Sequence, residues 1–568
     1  MIKKLLSSNY SLLIAILIIA AFFRFYNITQ LPPGLYPDEA MNGNNALEAL
    51  SPTGHFKVFY PENNGREGLF MNIQALSIYA FGNEPWALRV ASSIFGILTV
   101  LGVYFLTKEL FAKIPNSQLP ITNEISNEQN KKSFGNWKLE IENSEVIALL
   151  SAFFVATSFW HINFSRIGFR AIMAPFFAVW AFYFLLLALN KIRSLNPKFY
   201  ILYSILGGVF LGLGFHSYIA FRAMPALAII IWILYWIKNK EGVARKKILL
   251  SAFYFMLSAI IMFAPLGWYF LKNPKNFMGR TTQVSIMSSG APLKNLSLNV
   301  LKTAGMFFYK GDNNWRHNLA DKPELFWLIE ILFLIGIIIS VRRLFSTETG
   351  RSSAPAAEAA PGSRPDPADS VGDQAGRGFE TFRTKTGDGF LQPIILFSWL
   401  IIAALPVVIS NEGIPHALRA IIMIPPVFIL AGLGGAWIYE KVIKNRPDSG
   451  VRKIIINSAL IAILILLIME TGIAYFDKWG KNPEIQGAFA ANYTLIGREL
   501  RDLPKEMIKY VIVEAGGTDV RGIPMPSQTV MFLTDTFTPE KQKDKNLFYV
   551  LPEQINQIPK NAYVVKLK

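Results

Sequence analysis

Residues 248–270 read ILLSAFYFMLSAIIMFAPLGWYF, 23 consecutive positions without an Asp, Glu, Lys or Arg. As a helix rising 1.5 Å per residue such a run reaches about 34 Å, enough to cross a hydrocarbon core roughly 30 Å thick, where only helices and closed barrels satisfy their own backbone. Runs of about 18 to 25 residues recur along the chain and are apolar all round rather than striped, so the 568 residues, 52% hydrophobic, describe a polytopic helical membrane protein. In a soluble chain the net charge of +17 would suggest nucleic acid. Here the Lys and Arg collect in short connectors, where they orient helices and meet anionic headgroups, so membrane lipids are expected partners and nucleic acid is not. The absence of cysteine excludes a disulfide framework, a cysteine metal site and a cysteine nucleophile. The first apolar segment starts with basic residues, as a signal peptide does, but it is long enough to span and has no small-residue cleavage site before "PDEA"; a retained helix is expected.

Three connectors, "KIRSLNPK" (191–198), "KNKEGVARKK" (238–247) and "KNRPDSGVRK" (444–453), are dense in Lys and Arg, and the positive-inside rule puts them in the cytoplasm with Lys3 and Lys4. Spans are expected near 10–28, 87–110, 146–163, 171–190, 199–217, 222–237, 248–270, 326–342, 391–410, 416–440 and 453–474. The apolar stretch 69–82, about 14 residues, is too short to cross and would reverse every basic connector, so it reads as a helix lying in the interface. The expected fold is therefore an all-α polytopic membrane protein of about eleven spans, N-terminus inside and C-terminus outside. A membrane domain, 1–474, presents outer loops at 29–86 and 271–325, and an extracytoplasmic tail, 475–568, forms a small α/β unit. In that tail "YVIVEA" (510–515) and "AYVVKL" (562–567) read as strands and "TLIGRELRDL" (494–503) as a helix. A cytoplasmic insert at 345–390, with its Ala, Gly, Ser, Pro and Asp concentrated in 346–378, reads as disordered, and 112–145 as a polar cytoplasmic loop.

Against the inside bias, a second set of cations marks the outer ends of the helices. "WHINFSRIGFR" supplies His161, Arg166 and Arg170, "FHSYIAFR" supplies His216, Tyr218 and Arg222, and "PHALR" supplies His416 and Arg419. The outer loop adds Arg280 and the stretch "GDNNWRHN", with Asp312, Asn314, Trp315, Arg316, His317 and Asn318. Taken singly, such residues are ordinary interface anchors. Taken together they converge on one mouth rich in anion donors, suited to a phosphate whose charge grows during a reaction. Four of the five histidines fall in this set, but each comes from its own segment with no close pair, which argues against a histidine metal site.

The first outer loop carries an adjacent Asp38 and Glu39 in "LPPGLYPDEA". One reading makes Asp38 an N-cap and Glu39 a first-turn charge on a short interfacial helix. The other makes Asp38 a general base, its carboxylate facing the cationic mouth; a cap would fix its direction without excluding that role. Arg66 and Glu67, in "NNGREGLF", share the loop, and Arg66 is open to either a headgroup or a phosphate.

With "LPPGLYPDEA" after the first helix, "GREGLFMNIQALSIYAFGNEPWALRVASSIFGILTVLGVYFLTKELF" next and "FWHINFSR" beyond, the chain resembles the membrane glycosyltransferases of the protein O-mannosyltransferase type (family 39), including the bacterial transferases of aminoarabinose to lipid A. The resemblance covers roughly residues 10–440. It implies a GT-C fold in the plasma membrane and an inverting transfer, on the extracytoplasmic side, from a polyprenyl-phosphate sugar to an acceptor hydroxyl. The family's acidic pair falls on Asp38, as base, and Glu39, as the group orienting acceptor or base. Arg66, Arg280, Arg316, His317 and Arg419 are then the phosphate candidates, and His161, Arg166, His216, Tyr218, Arg222, Asp312 and His416 the substrate-contacting ones. Where lipid A transferases often carry a Lys before two prolines, this chain has Arg66, Glu67 and Gly68. Related oligosaccharyltransferases use a metal with a DxD motif, which the first outer loop lacks, so a divalent metal stays open as a cofactor but nothing in the sequence supports one. A transporter or flippase of an anionic lipid-linked substrate is the alternative from another class, though it would want ionisable groups or broken helices near mid-membrane. A lipid-linked glycan ligase or polymerase is the nearest enzymatic one.

Overall fold

The computed structural model describes residues 8–112, 144–192, 196–277, 286, 291–345, 390–411, 413–441 and 450–568. The disordered insert and polar loop expected at 345–390 and 112–145 fall almost wholly outside the described residues, as does Arg280. Helices lie at all the expected spans. Among the described residues eight are long and apolar enough to cross a membrane, and a pair bent by 58°, Ser144–Ala156 with Phe159–Ser165, is a ninth if its two halves form one span. Of the remaining two expected spans, Tyr10–Phe25 is a shorter apolar helix and Trp327–Phe345 carries Glu330, Arg342 and Arg343. The chain is thus a multi-pass membrane protein, and the stretch expected to lie in the interface is a 13-residue helix, Leu69–Phe81. That helix buries Phe70, Met71 and Ile78 while leaving Leu76 and Tyr79 exposed.

Between membrane helices there is no hydrophobic force to spend, so close backbone approach must supply the packing. Gly208 and Gly212, four residues apart on Pro197–Gly214, meet Gly242–Lys272 so closely that an added Cβ would stand 2.0 Å from the Phe255 carbonyl oxygen and 2.5 Å from that of Ala259. The break at Thr157 and Ser158 lets the Phe159–Ser165 helix turn across one end of the bundle, its first turn capped by Ser158 Oγ accepting from the His161 N–H at 3.3 Å. The loop that follows carries Gly168, Phe169 and Arg170 into the region occupied by the first long loop.

In that first loop Pro37–Leu50 is a helix, followed by a two-residue antiparallel ribbon pairing Phe59–Tyr60 with Arg66–Glu67. The turn between its strands places Asn63, Asn64 and Gly65 at positive φ, conformations that Asn and Gly tolerate best. The tail forms a parallel three-stranded sheet in the order Leu547–Val550, Lys509–Val513, Tyr563–Leu567. Both expected strands and the expected helix (Ala491–Asp502) are present; Leu547–Val550, four residues long, was not among them. The tail's buried helix Ser527–Thr534 seats against Pro37–Leu50. Asn44 Nδ2 donates to the Gln528 carbonyl at 3.0 Å and to its Oε1 at 2.9 Å, Thr529 Oγ1 donates to the Leu35 carbonyl at 2.9 Å, and Phe532 and Leu533 pack with Leu35, Ala40, Ala46 and Leu88. Arg501 to Glu84 at 2.8 Å and Arg521 to Glu62 at 2.9 Å tie the rim. The helix bearing the acidic pair is therefore clamped between the Pro85–Leu110 helix and the tail.

Candidate active site

A cavity of about 260 Å³ opens where these segments meet. Pro37–Leu50 supplies Asp38 and Asn42, the ribbon supplies Asn63 from its turn and Arg66 from its second strand, the loop after the bent helix supplies Phe169 and Arg170, and Tyr218, Arg316, His317, His416 and Arg419 close it. Asp38 is not the N-cap. Tyr36 holds that position without a side-chain cap and Pro37 takes the first helical place, because proline's fixed φ suits it and its missing N–H costs nothing there. Asp38 consequently lies in the first turn, half-buried, with Oδ1 accepting from Asn63 Nδ2 at 2.7 Å.

Glu39 faces the other way and does not line the cavity. Fully buried, its Oε2 receives the Gly168 N–H at 2.7 Å and Arg89 Nε at 3.1 Å, while Arg89 also donates to the Pro32 and Gly34 carbonyls, each at 2.7 Å. The pair thus divides into one carboxylate open to the cavity and one that fixes the helix.

The cations divide similarly. Arg66 lines the cavity, yet its guanidinium is engaged by Asn42 Oδ1 at 2.6 Å, Asn45 Oδ1 at 2.5 Å and the Glu62 carbonyl at 3.4 Å. Burial, reinforced by the nearby charge of Arg170, lowers it to about 10. Arg170 Nε pairs with Glu67 at 3.0 Å, and Arg222 stands 3.8 Å from the same carboxylate while donating to the Phe277 carbonyl at 2.8 Å. Arg316 sits over the Tyr36 ring, its Cζ 3.7 Å from the centroid, and its carbonyl accepts from Asn163 at 2.7 Å. Arg419 donates to Ser410 Oγ.

Other expected substrate contacts are engaged within the protein. His161 Nδ1 meets Arg24 at 2.6 Å; Arg166 donates to the Phe23 and Leu31 carbonyls at 2.9 and 2.8 Å; His216 Nε2 meets the Met262 carbonyl at 3.0 Å. None of these three, nor Arg222, lines the cavity.

Beneath the cavity wall Asp312 is almost completely buried. Its Oδ2 lies 2.9 Å from His317 Nδ1 and receives the Ala417 N–H at 2.8 Å, and its Oδ1 receives the Asn314 N–H at 2.9 Å. Burial alone would raise this carboxyl, but those donors and the neighbouring His416 outweigh it and hold it below the usual range. Glu324, whose Oε1 accepts from the Asp312 N–H at 3.2 Å, goes the opposite way: burial, with Asp312 beside it, raises its carboxyl well above the ordinary value. The two neighbouring buried carboxyls are thus shifted in opposite directions.

Among residues that were not singled out beforehand, Asn42 and Asn45 had a usable signal, since Asp38, Asn42 and Asn45 follow a helical i, i+4, i+7 pattern. Asn63, Phe169 and the Arg89 partner of Glu39 had none, because only the fold brings them close.

No family model and no curated protein matches the chain. Solved structures do. ArnT from Cupriavidus metallidurans bound to undecaprenyl phosphate superposes with a TM-score of 0.52 at 10% identity, covering 98% of this chain and 92% of that one. The Archaeoglobus fulgidus oligosaccharyltransferase in its apo form gives 0.51 at 13% identity over 97% of this chain, which spans only 66% of that longer protein. The Saccharomyces cerevisiae protein O-mannosyltransferase Pmt1–Pmt2 complex matches over 49% of this chain with a TM-score of 0.34. At such identities what is shared with the first two, over nearly the whole of this chain, is architecture, and on that ground the chain has the GT-C fold.

Proposed function

We propose that this protein is an inverting glycosyltransferase that moves a sugar from a polyprenyl-phosphate carrier to an acceptor hydroxyl on the extracytoplasmic face of the plasma membrane. The observation that carries the reading is the juxtaposition of the Asp38 carboxylate with Arg316 and Arg419 around one cavity. The acceptor oxygen attacks the anomeric carbon from the side opposite the phosphate, the anomeric C–O bond to phosphate breaks, and the electron pair leaves with polyprenyl phosphate. Asp38 accepts the acceptor's proton as the new bond forms. A phosphate monoester leaves without protonation, so the donor side needs fixed positive charge rather than an acid, and Arg316 and Arg419 supply it where charge develops. Glu39 and Arg66 act one step back: the first holds the helix of Asp38, the second joins that helix to the ribbon bearing Asn63. The ArnT structure, bound to undecaprenyl phosphate, supports this donor class through the shared fold.

Membranes containing the protein, which also carry candidate acceptor hydroxyls, incubated with labelled polyprenyl-phosphate sugars, are expected to consume one of them and release polyprenyl phosphate. Consumption of none across a panel of hexose and pentose donors overturns the reading. Movement of the intact donor across a vesicle membrane without its cleavage would instead favour transport.

Binding gives a second, independent result. Polyprenyl phosphate should raise the melting temperature in detergent, and either Arg316→Ala or Arg419→Ala should weaken its affinity by about tenfold or more, the worth of one charge-assisted contact to phosphate. Undiminished stabilisation in both variants would put the phosphate elsewhere.

A further inference from the structure

The wall of the cavity formed by "GDNNWRHN" and "PHALR" holds a cluster that the proposed transfer does not use. Asp312, His317 and His416 each offer one ligand atom, and these atoms all lie within 4.8 Å of one another. The two imidazoles are stacked, centroids 4.9 Å apart and planes 29° from parallel, which turns both Nδ1 atoms toward the same carboxylate oxygen. From Asp312 Oδ2 the distances are 2.9 Å to His317 Nδ1 and 3.8 Å to His416 Nδ1. A tetrahedral cation with bonds of about 2.1 Å needs its ligand atoms about 3.4 Å apart, and the two observed distances bracket that edge. A second observation points the same way: His416 Nδ1 is buried and finds no hydrogen-bond partner among the described residues. Burying a polar nitrogen without a partner is unfavourable, and a bound ion would satisfy it.

We infer that Asp312, His317 and His416 form a binding site for one divalent cation of the zinc class. Two nitrogens and one carboxylate oxygen are a borderline donor set suited to Zn²⁺, whereas Mg²⁺ and Ca²⁺ call for oxygen ligands. Both histidines also line the cavity, so the remaining coordination position opens onto it. Arg316 and Arg419 bring positive charge to the same wall and oppose a bare cation, so the site is completed by an anionic oxygen from the cavity side. His317 ligates through Nδ1 by carrying its proton on Nε2, a change of tautomer that alters no charge. The sequence conceals the site: the two histidines lie 99 positions apart, and only the docking of the His416 loop against the Asp312 loop, through the Ala417 N–H, joins them.

The test measures metal binding and not turnover, so its outcome is separate from that of the transfer reading. Metal-stripped protein in detergent is titrated with Co²⁺ and followed by its visible d–d absorption. One equivalent of four- or five-coordinate Co²⁺, displaced by Zn²⁺ but not by Mg²⁺, is expected. Asp312→Asn is a poor probe, because that carboxylate also anchors two backbone N–H groups and its loss endangers the loop. His416→Gln is the informative variant, since its Nδ1 makes no hydrogen bond to lose among the described residues. It should melt like the wild type without metal, weaken Co²⁺ binding by at least about tenfold, and lose the stabilisation by Zn²⁺ seen in the wild type. The absence of a Co²⁺ spectrum in the wild type, or an unchanged affinity in both His416→Gln and His317→Gln, overturns the assignment.

Discussion

Asp38→Asn is expected to give a folded protein that still binds the polyprenyl-phosphate donor but turns it over at least about a hundredfold more slowly, the usual contribution of a positioned general base. The substitution keeps the shape of the side chain and an oxygen at the position that accepts from Asn63 Nδ2 at 2.7 Å, so the helix and the ribbon turn should stay in place. What disappears is the capacity to take a proton. Because Arg316 and Arg419 are untouched, affinity for polyprenyl phosphate should change by less than about threefold, within the range of a surface-level perturbation. The effect is thus a fall in kcat with the donor's binding preserved, the signature of an interaction used only in the transition state. Asp38→Glu, which restores a carboxylate but displaces it by one methylene, should recover part of the rate. Equal turnover by wild type and Asp38→Asn would remove Asp38 from the chemistry and leave the acidic pair with a purely structural role.

The contrast between the two members of that pair shows what a sequence can and cannot reveal. That an Asp–Glu pair stands in the first loop is legible, and so are the spans, because bilayer thickness sets the length of an apolar run and the run itself is visible. Which carboxylate faces the cavity is not legible. It depends on Pro37 taking the first helical position, two residues ahead of the start that an Asp38 N-cap would give, so that Asp38 and Glu39 both lie within the first turn, about 100° apart on the helix surface. It depends equally on Arg89, one cation in the first turn of a long apolar helix, which sequence alone cannot distinguish from a headgroup anchor. Of the cations expected together at the outer helix ends, Arg170, Arg316 and Arg419 line the cavity, whereas Arg166 and Arg222 do not. Their division into cavity-facing Arg316 and Arg419 and structural Arg166 and Arg222 follows from partners more than fifty positions away, such as the Phe23 carbonyl for Arg166 and the Phe277 carbonyl for Arg222. The strand Leu547–Val550 was missed for a local reason, since four residues without alternation carry too little periodicity to separate a strand from a loop.

The same division predicts the largest effect on stability. Arg89→Met should destabilise the protein by about 3–5 kcal/mol, because it leaves the Glu39 carboxylate buried with only the Gly168 N–H for company. The Pro32 and Gly34 carbonyls lose their donor at the same time, so the loop entering the acidic helix loosens with it. In detergent this should appear as a lower apparent melting temperature and a shorter half-life at fixed temperature, the appropriate measure for a membrane protein that unfolds irreversibly. Adding Glu39→Gln to Arg89→Met removes the unpaired charge while keeping an acceptor for the Gly168 N–H. The double variant should therefore be more stable than Arg89→Met alone, though below wild type because the two carbonyls stay unpaired. That ordering separates an electrostatic clamp from simple packing: if methionine's bulk were enough, Arg89→Met would match the wild type, and if packing alone mattered, Glu39→Gln would restore nothing. Either result would mean that Glu39 does not hold the helix of Asp38 through its charge, and the burial of that charge would need another compensating partner.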